Sequence, residues 1–373
     1  MRILCVNDRR IDDPEAGGAE VYLSRLVDGL RASGDDVSVF AGYVSHVGVG
    51  RALDLWDPAV RRQLATLVAR ERPDVVHFHN VTRELSVSSL LVPAPRVLTA
   101  HDMTLAGTPD PRRSAVVAVA DRVVKRPLDR MVARRCVDEI VAVSGPVGNR
   151  LRKAGFPRVT VLPVPVEAPT TAPHPVSECS DVVFAGRWSA DKGVLVLIEA
   201  WRRICRELPE SRLVLAGDGP LRAEVEQAVV GLPVDLLGRL SPAGVSRLLG
   251  RARVVAVPSQ PQLRPEGASL ATAEAAAHGR PVVCSDDPAV LDVASALPGC
   301  TAVPAGDADR LAAAVRRLVV DREFAVRQGA ANARTALSTY GIGRLVDGMH
   351  EVYERAIARR SVPALPYPAG VGA

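Results

Sequence analysis

Lysine is nearly absent from this chain. Only Lys125, Lys153 and Lys192 interrupt a positive charge that is otherwise arginine, and the net charge is +5. Aromatic residues make up 3%, and no nucleic-acid recognition motif accompanies the basic balance, so nucleic acid is not an expected partner. No apolar run approaches the roughly 20 residues that a membrane-spanning helix needs. The first residues, Met1 to Asp8, are too short an apolar run for a signal peptide and charge follows at once, so the expected location is cytoplasmic. The six cysteines (Cys5, Cys136, Cys179, Cys205, Cys284, Cys300) form no CxxC or Cys/His cluster, which argues against a zinc centre and against a disulfide scaffold. There is no GxGxxG, so the dinucleotide fingerprint is missing. No DxD-type metal motif is evident near the segments expected to line the cleft either. Asp12-Asp13 and Asp286-Asp287 are acidic pairs that read as loop or capping residues. No metal and no cofactor is expected.

What is present is alternation. A strand over 2–7 leads through a glycine-bearing loop to an amphipathic helix over about 19–33, with Val21, Leu23, Leu26, Val27 and Leu30 on its apolar face. Gly34 ends it, and strands follow near 37–40, 75–78, 97–100, 139–143 and 159–162. Proline and small polar residues crowd 163–180, as in a linker. The alternation then restarts, with strands near 181–185, 213–216, 234–237, 254–257, 281–284 and 301–303 and helices between them. Strand–helix alternation of this kind predicts two doubly wound α/β domains in tandem. The expected boundaries are 1–165 and 166–341, with a last helix over about 342–360 that packs back on the first domain and a disordered tail over 361–373. Ligands of such sheets bind at the carboxyl ends of the strands, so a site in a cleft between the domains is expected.

The strongest chemical signal runs from Pro258-Ser259 through Glu266-Gly267-Ala268-Ser269-Leu270 to Glu274 and Gly279-Arg280-Pro281-Val282-Val283. A helix beginning after Glu266 offers backbone N–H groups to a diphosphate. A carboxylate in its second turn can take two ribose hydroxyls, and one in the preceding loop can bind sugar hydroxyls. The plain alternative is a first-turn carboxylate favoured by the helix dipole and a solvated glutamate. Against it, Glu274 sits in the small apolar stretch from Ala271 to Ala277, a poor place for an unpartnered charge. A second signal is Phe184-Ala185-Gly186-Arg187-Trp188-Ser189-Ala190-Asp191-Lys192-Gly193. An arginine at a strand end and a lysine at the next helix start suit a diphosphate, both in binding and as a leaving group gains charge.

These segments resemble the E-x7-E signature and its companions in the retaining family 4 glycosyltransferases, and the resemblance covers nearly the whole chain. It implies a GT-B fold of two Rossmann-like domains facing a central cleft. It implies Glu274 on the nucleotide ribose, Glu266 on the donor sugar, and Arg187 and Lys192 on the diphosphate. Gly267, Ala268, Ser269 and Leu270 would line the phosphates, although many members carry an aromatic where Ala268 stands. Gly217-Asp218-Gly219-Pro220 resembles a family turn and is read as structural. Gly238 resembles a position whose backbone faces the base. Gly17 and Gly18, at the first helix start, would lie across the cleft from the phosphates. Thr99-Ala100-His101-Asp102 resembles the strand-end histidine that faces donor sugar and acceptor, with Asp102 meeting the acceptor. In the His77-Phe78-His79 stretch, His77 is read as core-facing and His79 is left open.

The resemblance further implies reaction without a metal, with departing diphosphate and incoming hydroxyl on one face of the sugar. The expected donor is a UDP sugar and the expected acceptor a small natural-product scaffold, as in antibiotic biosynthesis. Polysaccharide or glycolipid assembly at a membrane face is the alternative. The arginine-rich segment 112–135 is compatible with peripheral membrane contact, but a solvated face is favoured. A nucleotide-sugar epimerase and a non-catalytic nucleotide-sugar-binding subunit are the competing classes. The Gly-Gly loop with E-x7-E speaks against the first, and the complete set Arg187, Lys192, Glu266, Glu274 against the second.

Overall fold

A computed structural model describes residues 1–11, 13, 17–41, 57–80, 85–106 and 121–361. The Asp12 position, residues 112–120 and the tail 362–373 therefore lie outside the described residues. The chain divides into two compact units. Unit 1 takes in Met1–Ala142, Leu151–Thr160 and the chain from Val346 to the end of the last helix, and unit 2 takes in Val143–Arg150 and Val161–Leu345.

In unit 1 the elements run β1 (Arg2–Asn7), α1 (Gly18–Ala32), β2 (Asp36–Ala41), α2 (Pro58–Glu71), β3 (Val75–His79), β4 (Arg96–Ala100), α3 (Arg126–Cys136) and β5 (Glu139–Ala142). After α4 (Gly145–Lys153), β6 (Val159–Val161) closes the sheet. The strand order is β2-β1-β3-β4-β5-β6, and the ladders from β2 to β5 are parallel. Ile3, Leu4, Cys5 and Val6 are all buried, as are Val75, Val76 and Phe78. Unbroken burial along a strand is what helices on both faces of a parallel sheet require. The helix starts follow local chemistry: Asp57 caps α2 by accepting from the N–H groups of Ala59 and Val60, with Pro58 at the first helical position.

Unit 2 runs β7 (Val182–Ala185), α5 (Val194–Ile204), β8 (Leu213–Ala216), α6 (Arg222–Ala228), β9 (Val234–Gly238), α7 (Pro242–Leu249), β10 (Val254–Val257), α8 (Leu270–Ala277), β11 (Val282–Ser285), α9 (Pro288–Ala294), β12 (Cys300–Val303), α10 (Ala308–Val320) and α11 (Arg322–Tyr340). The order is β12-β11-β10-β7-β8-β9, parallel throughout. One side of this sheet packs Trp188, Leu197, Ile198, Trp201, Leu213, Leu215, Leu311 and Val315 into a single core. The expected linker is not loose. Val166 N–H donates to Tyr340 O at 2.7 Å. Buried Arg280 reaches the carbonyls of His174 at 2.6 Å, Gly250 at 2.8 Å and Ala252 at 2.9 Å. A buried guanidinium without a carboxylate is tolerable because both of its Nη groups find such acceptors.

The last helix, α12 (Ile342–Ser361), carries an apolar stripe of Leu345, Val346, Met349, Val352, Tyr353 and Ala356, all buried. From Val346 it belongs to unit 1. Tyr353 Oη lies 2.8 Å from His77 Nδ1, and Thr99 Oγ1 lies 2.7 Å from His77 Nε2. Arg359 donates to the buried Glu139 of β5 at 2.9 Å, and Arg360 to Asp138 at 3.0 Å. His77 is thus a core residue, with both nitrogens engaged.

Burial holds the His77 imidazole down to about 3 from its ordinary 6.5, and His79 is held well below as well, again chiefly by burial. Unfolded, both side chains accept a proton near 6.5; folded, they refuse it. The unfolded state then binds more protons, so stability is full above 6.5 and is lost as pH falls towards 3. Denaturant melts at pH 7.5, 6.5 and 5.5 should show a loss of about 2 kcal/mol between pH 6.5 and 5.5, about 1 kcal/mol from each imidazole. A flat profile would show that these imidazoles are not held neutral.

Candidate active site

In a doubly wound sheet the chain leaves adjacent strands in opposite directions at one place, and ligands bind there. In unit 2 that place lies between β7 and β10. From β7 the chain proceeds to β8 and β9 on one side, then returns to β10 on the other. The loop after β7 carries Arg187 and Lys192; the loop after β10 carries Ser259 and Glu266. The two are locked together. Lys192 Nζ donates to Glu266 Oε1 at 2.5 Å, and Ser259 Oγ donates to the same oxygen at 2.8 Å. Gln260 N–H donates to Asp191 O at 2.7 Å, and Glu266 N–H to Asp287 Oδ2 at 3.3 Å. Gly193 sits between the loops at φ 69°, where a Cβ would come within 1.9 Å of Pro258 O. Only glycine fits so close a backbone approach.

Arg187 points an Nη2 at Asp191 Oδ2 from 3.6 Å and is 40% exposed. Burial works to raise the Asp191 carboxyl, but Ser189 and the charges of Arg187, Lys192 and Arg264 together outweigh it and hold the group below its ordinary value. The Gly-Asp-Gly-Pro turn packs on this loop. Trp188 N–H donates to Asp218 O at 2.9 Å, and a Cβ on Gly217 would meet Gly186 O at 1.8 Å. That is the structural role expected of it. Gly238 O accepts from Gly217 N–H at 2.7 Å, which brings the end of β9 against the same turn.

α8 begins at Leu270, where the pattern indicates a start from about residue 268, because Ser269 caps it. Ser269 Oγ accepts from Thr272 N–H at 3.4 Å and lies 2.8 Å from Thr272 Oγ1. Gly267 O accepts from Ser144 Oγ at 2.5 Å. Glu274 is half-buried between the fully buried Ala273 and Ala275. Glu266, Gly267, Ala268, Ser269, Leu270 and Glu274 are therefore one loop-and-helix unit beside Lys192. Asp287 caps α9, accepting from Ala289 N–H at 2.8 Å, as its sequence context indicates. Sequence reading passed over Ser259 and Ser144 as contributors. Pro258-Ser259 directly after a strand was the available signal for the first; the second had none.

In unit 1 the corresponding place lies between β1 and β3. The loop after β1 carries Gly17 and Gly18. Gly17 N–H donates to Glu20 Oε2 at 2.7 Å, and a Cβ on Gly18 would meet nothing. His101 follows β4 directly. Its Nε2 lies 2.9 Å from His79 Nδ1, and the Tyr22 ring stands edge-on to it with centroids 5.0 Å apart. Asp102 Oδ1 accepts from Thr104 N–H at 2.8 Å, so one of its oxygens serves a local turn. Among the described residues, one His/Cys/Asp/Glu group has metal-like spacing: Cys5, His77 and His79, all buried. The His77 nitrogens are already taken by Tyr353 and Thr99, so the group reads as a polar core cluster.

The architecture, two parallel six-stranded Rossmann-like units, is that of the GT-B class. Residues 16–168 match the model of Glycosyltransferase Family 4, and residues 179–321 match that of Glycosyl transferases group 1. Those matches span most of the chain, which belongs to the family 4 glycosyltransferases. It is 29% identical over 351 residues to the GDP-mannose-dependent alpha-(1-6)-phosphatidylinositol dimannoside mannosyltransferase of Mycobacterium tuberculosis, covering 87% of this chain and 85% of that protein. Among solved structures, Anabaena HepE in complex with UDP superposes with a TM-score of 0.70 at 18% identity, covering 95% and 100% of the two chains. AviGT4, a glycosyltransferase involved in avilamycin A biosynthesis, superposes at 0.65 and 18%, covering 96% and 99%. Among the described residues, no helix is long and apolar enough to cross a membrane.

The lock between the two loops of unit 2 is open to test. Gly193→Ala adds a Cβ against Pro258 O in a left-handed conformation and should cost roughly 2 kcal/mol or more of unfolding free energy. Gly343→Ala, at a helix position where a Cβ meets nothing, should be neutral or stabilising by up to about 1 kcal/mol. Equal effects in urea melts would mean that the loops are not held by this contact.

Proposed function

We propose that the protein is a retaining transferase that moves a sugar from a nucleoside diphosphate sugar to a hydroxyl acceptor. The observation that carries this reading is the convergence of Lys192, Ser259 and Glu266 at the carboxyl ends of β7 and β10, with Arg187 on the same loop as Lys192. Arg187 and Lys192 hold the diphosphate and offset its charge as it leaves. The turn from Gly267 to Ser269 that leads into α8, with Leu270 at its first position, adds backbone N–H groups to the same phosphates. Glu274 takes the ribose, Glu266 the donor sugar, and the backbone at Gly238 the base. Gly17 and Gly18 approach the donor with bare backbone, His101 hydrogen-bonds the sugar and Asp102 serves the acceptor. Two cations and a helix start make a divalent metal unnecessary, and no cofactor is needed beyond the donor.

Mannosyl transfer from a GDP sugar is the first donor reading, supported by the mycobacterial relative; UDP, the donor the sequence reading favoured, is the second, supported by the likeness to HepE. For the acceptor, a glycolipid at a membrane face draws support from the same mycobacterial relative. It also draws support from Val123, Val124 and Met131, which are 66%, 53% and 43% exposed near the exposed Arg134 and Arg135. A small soluble natural-product scaffold, supported by the likeness to AviGT4, is the alternative.

Thermal-shift titration with GDP, UDP and dTDP reads the base directly, since a bound nucleotide raises the melting temperature. Transfer of labelled sugar into a lipid extract, compared with soluble scaffolds, reads the acceptor. Lys192→Ala should lower kcat about 10²- to 10³-fold, as loss of a charge-stabilising donor does, and chelator should leave transfer unchanged. Loss in chelator restored by magnesium would overturn the metal-free reading, and an unchanged kcat in Lys192→Ala would remove Lys192 from the chemistry.

A further inference from the structure

The two histidines at the ends of β3 and β4 share one hydrogen. His79 Nδ1 and His101 Nε2 are 2.9 Å apart, and between two neutral imidazoles only one of these nitrogens carries a proton. Either His79 Nδ1–H donates, leaving His101 with its hydrogen on Nδ1, or His101 Nε2–H donates, forcing the His79 hydrogen onto Nε2.

The surroundings of His79 decide between these arrangements. Its ring is fully buried, and its Nε2 has no hydrogen-bond partner. The nearby hydroxyls of Tyr353 and Thr99 are engaged with His77. Cys5 Sγ lies within 4.8 Å of a ring nitrogen of each of His77 and His79. Burial pushes its thiol up to about 12, so it stays an S–H and is a weak donor rather than an anionic acceptor. An Nε2–H on His79 would be a buried donor facing no acceptor, the rarer kind of orphan in folded proteins. A bare Nε2, an unpaired acceptor, is the less costly state. Burial also excludes the doubly protonated ring, which would need both hydrogens.

We propose that His79 is a positioning residue: it donates its Nδ1 hydrogen to His101 Nε2 and so fixes His101 as a neutral imidazole carrying its hydrogen on Nδ1. His101 then meets its ligand as a hydrogen-bond donor and not as a base, because its basic nitrogen is occupied by His79. Histidine in water favours the opposite tautomer, with the hydrogen on Nε2, so the arrangement depends on His79. The mechanistic consequence rests on the reading that His101 contacts the donor sugar; the tautomer itself does not.

Two-bond 1H–15N correlation spectra of the ligand-free protein labelled at histidine read the tautomer without any turnover. The expected His101 pattern is protonated Nδ1 and bare Nε2, and the reverse pattern overturns the proposal. His79→Asn keeps an N–H where His79 Nδ1 stands and should preserve both the pattern and most of the transfer. His79→Leu removes the donor. In it His101 should revert to the Nε2–H form, kcat should fall about 10-fold or more, and binding of free nucleoside diphosphate should stay unchanged. If His79→Leu does not fold, the wild-type spectrum and His79→Asn still decide. A His101 that switches tautomer in His79→Leu with full transfer supports the tautomer assignment and removes His101 from the reaction, so the two failures are distinguishable.

Discussion

Two strands that lie side by side, β7 and β10, must send their chains to opposite flanks of the sheet, and everything chemical in unit 2 follows from that constraint. Parallel neighbours cannot be joined by a tight turn, so each leaves through a long crossover. Where crossovers diverge, the sheet edge is uncovered and two loops stand with nothing between them. Their separation is then set only by what they make of each other. Here the backbone does most of it: Gly193 admits the Pro258 carbonyl, and the Gln260 amide holds the Asp191 carbonyl. With the main chains fixed, Lys192 and Glu266 meet across the gap without long, entropically costly searches.

The polar groups buried elsewhere serve position more than net stability. Arg280, fully buried, uses its guanidinium on three carbonyls from the linker side and from the end of α7. Its own carbonyl accepts from Asn332 Nδ2 at 2.8 Å, and Asn332 Oδ1 accepts from Gly299 N–H at 2.7 Å. Such a network contributes little net free energy, since its members give up water to join it, but it is costly to break and so fixes a unique arrangement. The His77 contacts do the same for α12, holding a helix distant in sequence to β3 and β4 through Tyr353.

The alternation of strands and helices was legible because parallel strands buried on both faces read as short unbroken apolar runs, such as Ile3 to Val6 and Val254 to Val257. The Glu266 and Lys192 motifs were legible because their spacing places them at strand ends. Other features depend on partners far away in sequence. Ser144 reaches Gly267 across 123 positions and His77 reaches Tyr353 across 276; no local pattern marks such pairs. The start of α8 was misplaced by two residues because Gly267 and Ala268 continue the small-residue run that precedes the true cap at Ser269. His79 stayed undecided since alternation along β3 assigns it the face of His77, while its neighbour across the sheet, His101, is set by strand register. That register pairs His79 with Thr99 and leaves His101 two residues beyond.

The pairing of Lys192 with Glu266 orders two long side chains where the loops after β7 and β10 meet. A lysine at a loop end that met no partner would sample many rotamers. An ion pair between side chains 29% and 14% exposed limits that sampling. A pair so placed has little net worth, because desolvation offsets most of the attraction. On the proposed reading that low net worth is an advantage: the ammonium is held in place yet released at small cost to a diphosphate, whose charge exceeds that of one carboxylate. The same oxygen, Oε1, takes both Lys192 and Ser259, so when the ammonium turns to phosphate the serine still holds the carboxylate. On the proposed reading, Glu266 is then fixed by Ser259 with Oε2 left for the sugar, so the order that the ion pair maintains does not have to be rebuilt when the ammonium turns away.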